Sequence, residues 1–129
     1  MKKLFCSLIM LFPLLLFAQT KGKNDNEKFE PIQLYFVMLV KGPNRTQDSI
    51  TAAKIQEGQM ANIGKLAKEG KLIVAGPFMD DTNWRGLFIL KCQDAAECEN
   101  LLKTDPAISS GRLTYEVHPW MTGKNCLFK

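Results

Sequence analysis

The sequence predicts an α+β domain in β-α-β-β-α-β order, the ferredoxin-like arrangement of an antiparallel sheet with helices on one face. Three observations carry that prediction. LYFVMLV (34–40) and the first four residues of LFILK (87–91) are runs of apolar β-formers, as expected of strands buried on both faces. RLTYEVHP (112–119) instead alternates, the pattern of a strand with a single apolar face. Two amphipathic helical stretches separate the strands, each with its own start and stop signals.

In chain order, the first strand ends at the turn chemistry of KGPN (41–44). Asp48 or Ser49 then caps a helix that runs to about Glu69, where Gly70 closes it. KLIVA (71–75) is a short strand, and GPFMDDTNWRG (76–86) is an irregular loop. After the second interior strand, Asp94 caps a helix to about Lys103, and TDPA (104–107) breaks it. In this topology the first and third strands are central, which agrees with their being the fully apolar ones. Helices cover one face of the sheet only. The apolar side chains on the other face predict a second copy of the chain as their cover, a sheet-to-sheet homodimer.

The N-terminus carries different signals. Lys2 and Lys3 precede an apolar run from Leu4 to Phe17, followed by small Ala18 and a polar segment. That order is a secretory signal peptide, residues 1–18, with cleavage near Ala18–Gln19. The run is about 14 residues, shorter than the roughly 20 that a membrane-spanning helix needs, and Pro13 interrupts it. An exported protein, periplasmic or secreted and with no membrane association after cleavage, is the expectation. Residues 19–30 form a polar leader, residues 31–122 the folded domain, and residues 123–129 a tail without clear pattern.

Charge and cysteine content exclude several functions. The net charge of +4 falls to about +2 without Lys2 and Lys3, and no basic stripe supports nucleic acid as a partner. Of the four cysteines, Cys6 leaves with the signal peptide. Cys92, Cys98 and Cys126 are an odd number, so at least one thiol is free or pairs between chains. A Cys92–Cys98 bridge remains open. With His118 as the one histidine and no metal-ligand spacing, neither a metal nor a cofactor is expected.

Four places carry candidate chemistry. On the first helix, Met60, Ile63, Leu66 and Ala67 share the apolar face, and Gln59 falls beside them. A polar amide there faces a cleft, or sits at the boundary and bonds a nearby carbonyl. The 76–86 loop holds Asp80, Asp81, Trp84 and Arg85. Its two carboxylates either divide the roles of base and support, or make Asx-turn and surface ion-pair contacts. On the last strand Leu113, Tyr115 and Val117 go under the helices. Thr114, Glu116 and His118 take the opposite face, where His118 is an acid/base group or an interface hydrogen-bonder. Trp120 stands ready to wall a pocket. Cys98, in line with Leu101 and Leu102, reads as a small buried hydrophobe.

Together QMANIGKLAKEGKLIVAGPFMDD (59–81), RGLFIL (85–90), TDPAISSGRL (104–113) and VHPW (117–120) resemble the YCII-related domain family over roughly residues 33–121. The resemblance implies a dimeric α+β barrel and an enzymatic cleft with a characteristic histidine and aspartate. It places the aspartate on Asp80, next to Asp81, and the histidine on Gln59. Glutamine hydrogen-bonds but cannot shuttle a proton near neutral pH, so the departure touches catalysis and not fold. Three functions follow. One is a ligand-binding cleft with impaired catalysis. Another is a lyase or isomerase acting on a small cyclic or aromatic substrate. There Asp80 is the acid/base, His118 assists, and Gln59, Asp81, Trp84 and Arg85 bind the substrate. The third is a non-catalytic structural or partner-binding dimer.

Overall fold

The computed structural model describes residues 29–127; the predicted signal peptide and most of the leader lie outside them. Strands β1 (Pro31–Lys41), β2 (Leu72–Pro77), β3 (Trp84–Leu90) and β4 (Leu113–Gly123) form one antiparallel sheet in the order β2-β3-β1-β4. Helices α1 (Ser49–Lys68), α2 (Ala95–Lys103) and the one-turn α3 (Pro106–Ser109) complete the domain. This is the ferredoxin-like α+β arrangement, with the two all-apolar segments as the central pair β1 and β3.

Strand alternation decides which side chains meet the helices. Tyr35, Val37 and Leu39 of β1 and Phe88 and Leu90 of β3 join Leu66 of α1 and Cys98 and Leu102 of α2 in one buried cluster. Leu113, Tyr115 and Val117 of β4 pack against its margin. The intervening residues point the other way. Phe36, Met38 and Val40 pair with His118, Glu116 and Thr114 of β4, and Met38 and Phe36 with Leu87 and Ile89 of β3. They form a second, largely apolar face that is absent from the helix-bearing core.

The helix ends follow from local chemistry. Asp48 caps α1 by accepting from Thr51 N at 2.8 Å. Gly70, at φ +70°, lets the chain reverse after α1. Asp94 caps α2 by accepting from Glu97 N at 2.8 Å. Lys71 of the α1–β2 turn pairs with Glu97 of α2, tying two segments distant in sequence.

Several boundaries differ from the sequence reading. The 76–86 loop is shorter than expected, because β2 continues through Pro77 and β3 begins at Trp84, which leaves residues 78–83 to connect them. TDPA ends α2, but its Asp-Pro step starts α3, with Asp105 as N-cap and Pro106 in the first turn. The last strand extends through HPWMTG to Gly123, since it pairs with β1 along its whole length from Lys41 to Pro31. Tail residues Lys124–Cys126 form a 3₁₀ turn.

Candidate functional site

The buried stripe of α1 is rotated from the expected one. Met60 and Ala67 are exposed, whereas Gln59 is buried beside half-buried Ile63 and buried Leu66. Gln59 thus sits inside the protein, and its amide needs partners. Its Nε2 donates to Oδ2 of Asp105, 3.2 Å away. Asp105 is 1% exposed. Its other oxygen, Oδ1, accepts from Ala107 N at 2.8 Å, and its backbone carbonyl accepts from Ile108 N and Ser109 N. Burial pushes the Asp105 carboxyl above its ordinary range; the hydrogen bonds from Ala107, Gln59 and Ile108 oppose that rise.

Gln59 lines a cavity of about 330 Å³ between α1 and the helix-bearing face of the sheet. Ile55, Gln56, Met60 and Ile63 of α1 form one wall. Leu39, Phe88 and the Ala75–Gly76–Pro77 end of β2 form the floor, and Gly86 admits close approach of the strands there. The Cβ of any other residue at 86 would lie 3.1 Å from Pro77 Cα, with the Gly76 carbonyl nearer still. Ala107 and Leu113 close the end, and three arginines contribute to the rim: Arg45, Arg85 and Arg112.

The expected site residues separate into three groups. Gln59 and Arg85 share the cavity. Asp81 is exposed and touches it only through Arg85: it accepts from Arg85 Nη1 and Lys41 Nζ, both at 3.3 Å. Asp80 is exposed at the loop and accepts from Thr82 Oγ1 at 3.4 Å; it is not among the cavity's lining residues, and neither is exposed Trp84. His118 faces away altogether. It pairs with Phe36 on the sheet face opposite the helices, with Glu116 Oε2 3.9 Å from its Nε2. A period of two sets this outcome: β4 cannot send Leu113, Tyr115 and Val117 under the helices and His118 with them. Trp120, opposite Leu34, shares the face of His118.

The carboxylate that Gln59 meets is therefore Asp105, not Asp80. Asp105 stood unmarked inside TDPA because the Asp-Pro step reads as turn chemistry. The signal that points to it is a polar residue buried on α1, which requires a partner somewhere in the fold. Arg45 and Arg112 were also missed; they lie 67 residues apart and meet only through the β1–β4 pairing, where Arg45 Nη1 donates to the Arg112 carbonyl at 2.9 Å.

The thiols offer no nucleophile at this site. Cys92, Cys98 and Cys126 are all free, and Cys98 is buried in the core, where burial and then neighbouring Cys92 push its thiol up to about 12. Among the described residues no cluster of three or more histidine, cysteine or acidic side chains is placed to hold a metal.

The model of the YCII-related domain matches residues 34–121. The chain belongs to the YCII-related domain family. A solved structure of 5-chloro-2-hydroxyhydroquinone dehydrochlorinase from Burkholderia phenoliruptrix AC1100, in complex with 2,5-dihydroxybenzoquinone, superposes with a TM-score of 0.52 at 21% identity, covering 71% of this chain and 97% of that one. At that identity the likeness speaks to the YCII-related fold. No protein of curated function matches the chain in sequence.

Proposed function

We propose that this protein is an exported YCII-related domain that binds a small molecule in the α1–sheet cavity with its proton-transfer chemistry impaired. The observation that carries this reading is the Gln59–Asp105 pair. An amide stands at the cavity wall, and the carboxyl behind it is enclosed, with both oxygens engaged. Gln59 has no proton to exchange near neutral pH, and it stands between the cavity and Asp105, whose two oxygens are held by Gln59 and Ala107. A lyase or isomerase route through Asp80 gains no support from its exposed position at the loop.

The binding half of the reading draws on the cavity and on the 2,5-dihydroxybenzoquinone held by the structural neighbour. The test uses that compound and the neighbour's chlorinated substrate. Calorimetry is expected to show that the native protein binds 2,5-dihydroxybenzoquinone, while chloride release from 5-chloro-2-hydroxyhydroquinone stays at the uncatalysed rate. Gln59→His restores a titratable ring beside Asp105 and is expected to raise chloride release at least tenfold above native. Rapid release by the native protein would replace impaired catalysis with an enzyme reading. An absence of binding in both proteins would leave a structural or partner-binding dimer.

The same proposal includes a homodimer through the sheet face that bears Phe36, Met38 and Leu87. These side chains are apolar and half-buried, and the helices pack on the other side. Sedimentation at micromolar concentration is expected to give a dimer, weakened by Phe36→Glu; a native monomer would refute it.

A further inference from the structure

We infer that the ligand of this cavity carries an anionic group, a carboxylate or its equivalent on a small apolar body, which Arg45 and Arg112 hold at the rim. The inference rests on the binding reading above and names the chemical class of its ligand.

The argument begins with charge. Three cationic side chains belong to the cavity lining and no acidic one does. Asp81 compensates Arg85, at 3.3 Å. Among the described residues neither Arg45 nor Arg112 has an ion pair with a carboxylate. Each is instead anchored through a neutral oxygen: Arg45 Nη1 on the Arg112 carbonyl at 2.9 Å, and Arg112 Nη1 on Gln47 Oε1 at 3.1 Å. Those bonds fix the side chains without using their charge. A guanidinium has five N–H donors in a planar fork that matches a carboxylate with two parallel bonds, so most of that capacity is left for a ligand.

The placement of these arginines is not incidental to the fold. Arg45 lies in the β1–α1 connection and Arg112 just before β4, and the ends of β1 and β4 bring them together. Gly42 N donates to the same Arg112 carbonyl at 3.0 Å, and Asn44 N donates to the Gly111 carbonyl at 2.9 Å. Asn44 Nδ2 adds a bond to Ser110 O at 3.0 Å. The rim is thus a cross-linked backbone platform that presents two cations, each held by one hydrogen bond to a neutral oxygen. Below it Leu39, Ile55, Ile63 and Phe88 supply apolar wall beside the neutral amides of Gln56 and Gln59. Low-dielectric walls strengthen a charge pair at the rim. An amphiphilic acid fits that division, with the ring below and the anion at the arginines.

Calorimetry with 2,5-dihydroxybenzoate and with 2,5-dihydroxybenzamide separates charge from shape. The acid is expected to bind at least tenfold more tightly than the amide. Arg112→Gln and Arg45→Gln are each expected to weaken the acid by about tenfold and to leave the amide unchanged, while Arg112→Lys retains part of the preference. Urea unfolding of each variant confirms that the fold persists. Equal binding of acid and amide, or arginine variants that leave the acid unaffected, would overturn the anionic class while the binding cavity stands. If neither compound binds the folded native protein, both the class and the cavity's role fall.

Discussion

Asp105→Ala is expected to lower the stability of the domain by about 3 kcal/mol, from the sum of a lost N-cap and buried donors left without an acceptor. The alanine removes the acceptor of Ala107 N and the partner of Gln59 Nε2 together. Gln59 is buried on α1 beside Ile63 and Leu66, so the one other direction open to its amide is the cavity that it lines. Asp105→Asn is the milder change. Its Oδ1 still accepts from Ala107 N, and Gln59 restores the pair by rotating its amide to present Oε1, at a cost of about 1 kcal/mol. Urea denaturation of the three proteins measures both steps. A loss below about 0.5 kcal/mol in Asp105→Ala would mean that Gln59 finds water or another partner, and the buried pair would lose its structural meaning.

The same pair sets a pH dependence whose sign is fixed. Burial raises the folded carboxyl above its ordinary 3.8, so the folded protein holds this proton more tightly than the unfolded chain. The associated stability is complete below that ordinary value and is lost as pH rises through the folded one. Asp48 and Glu97 act in the opposite sense. Backbone and side-chain hydrogen bonds lower both carboxyls, so their contribution is present above their ordinary values and disappears as pH falls. Overall stability therefore mixes two slopes, and the comparison with Asp105→Asn isolates one. The advantage of the native protein over that variant is expected to be largest in acid and to shrink as pH rises toward neutrality. A difference independent of pH would show that Asp105 does not titrate differently on folding.

The sheet and its order were legible because they rest on local patterns. All-apolar segments 34–40 and 87–90 had to be central, and the alternation at 112–119 had to lie at an edge. Asp48, Asp94 and Gly70 marked helix ends by short-range hydrogen bonding. The site was legible only where one residue carried the signal: Gln59 stood out as an amide on an apolar stripe. Its partner did not, since Asp105 is 46 residues away and disguised as a turn. The face of His118 was legible too: the alternation at 112–119 puts the chain's one histidine opposite Leu113, Tyr115 and Val117, and the structure pairs it there with Phe36, away from the cavity. The arginine rim was invisible for the same reason as Asp105, because strand register and not sequence proximity joins Arg45 to Arg112.

Gly42→Ala is the substitution expected to couple stability to ligand binding. A Cβ at residue 42 would meet the Gly111 carbonyl oxygen and lie 2.8 Å from both Arg112 C and Leu113 N. All three are backbone atoms, so no side chain can swing aside. Relief requires the start of β4 to move away from the end of β1, breaking the Gly42 N bond to the Arg112 carbonyl. Overpacking of this kind costs about 3 kcal/mol. The displaced segment carries Arg112 and the carbonyl that anchors Arg45, so affinity for 2,5-dihydroxybenzoate is expected to fall at least tenfold in protein that is still folded. Gly64→Ala supplies the contrast. Nothing lies within 4 Å of its Cβ position, on an exposed stretch of α1, and alanine there is expected to stabilise the helix by up to about 1 kcal/mol with binding unchanged. Urea midpoints and calorimetry on the two variants separate the alternatives. If Gly42→Ala loses stability but binds the acid as the native protein does, the rim tolerates strand displacement and its arginines reach the ligand by their own flexibility. If it loses both while Gly64→Ala loses neither, the β1–β4 junction is what holds the two guanidinium groups in place.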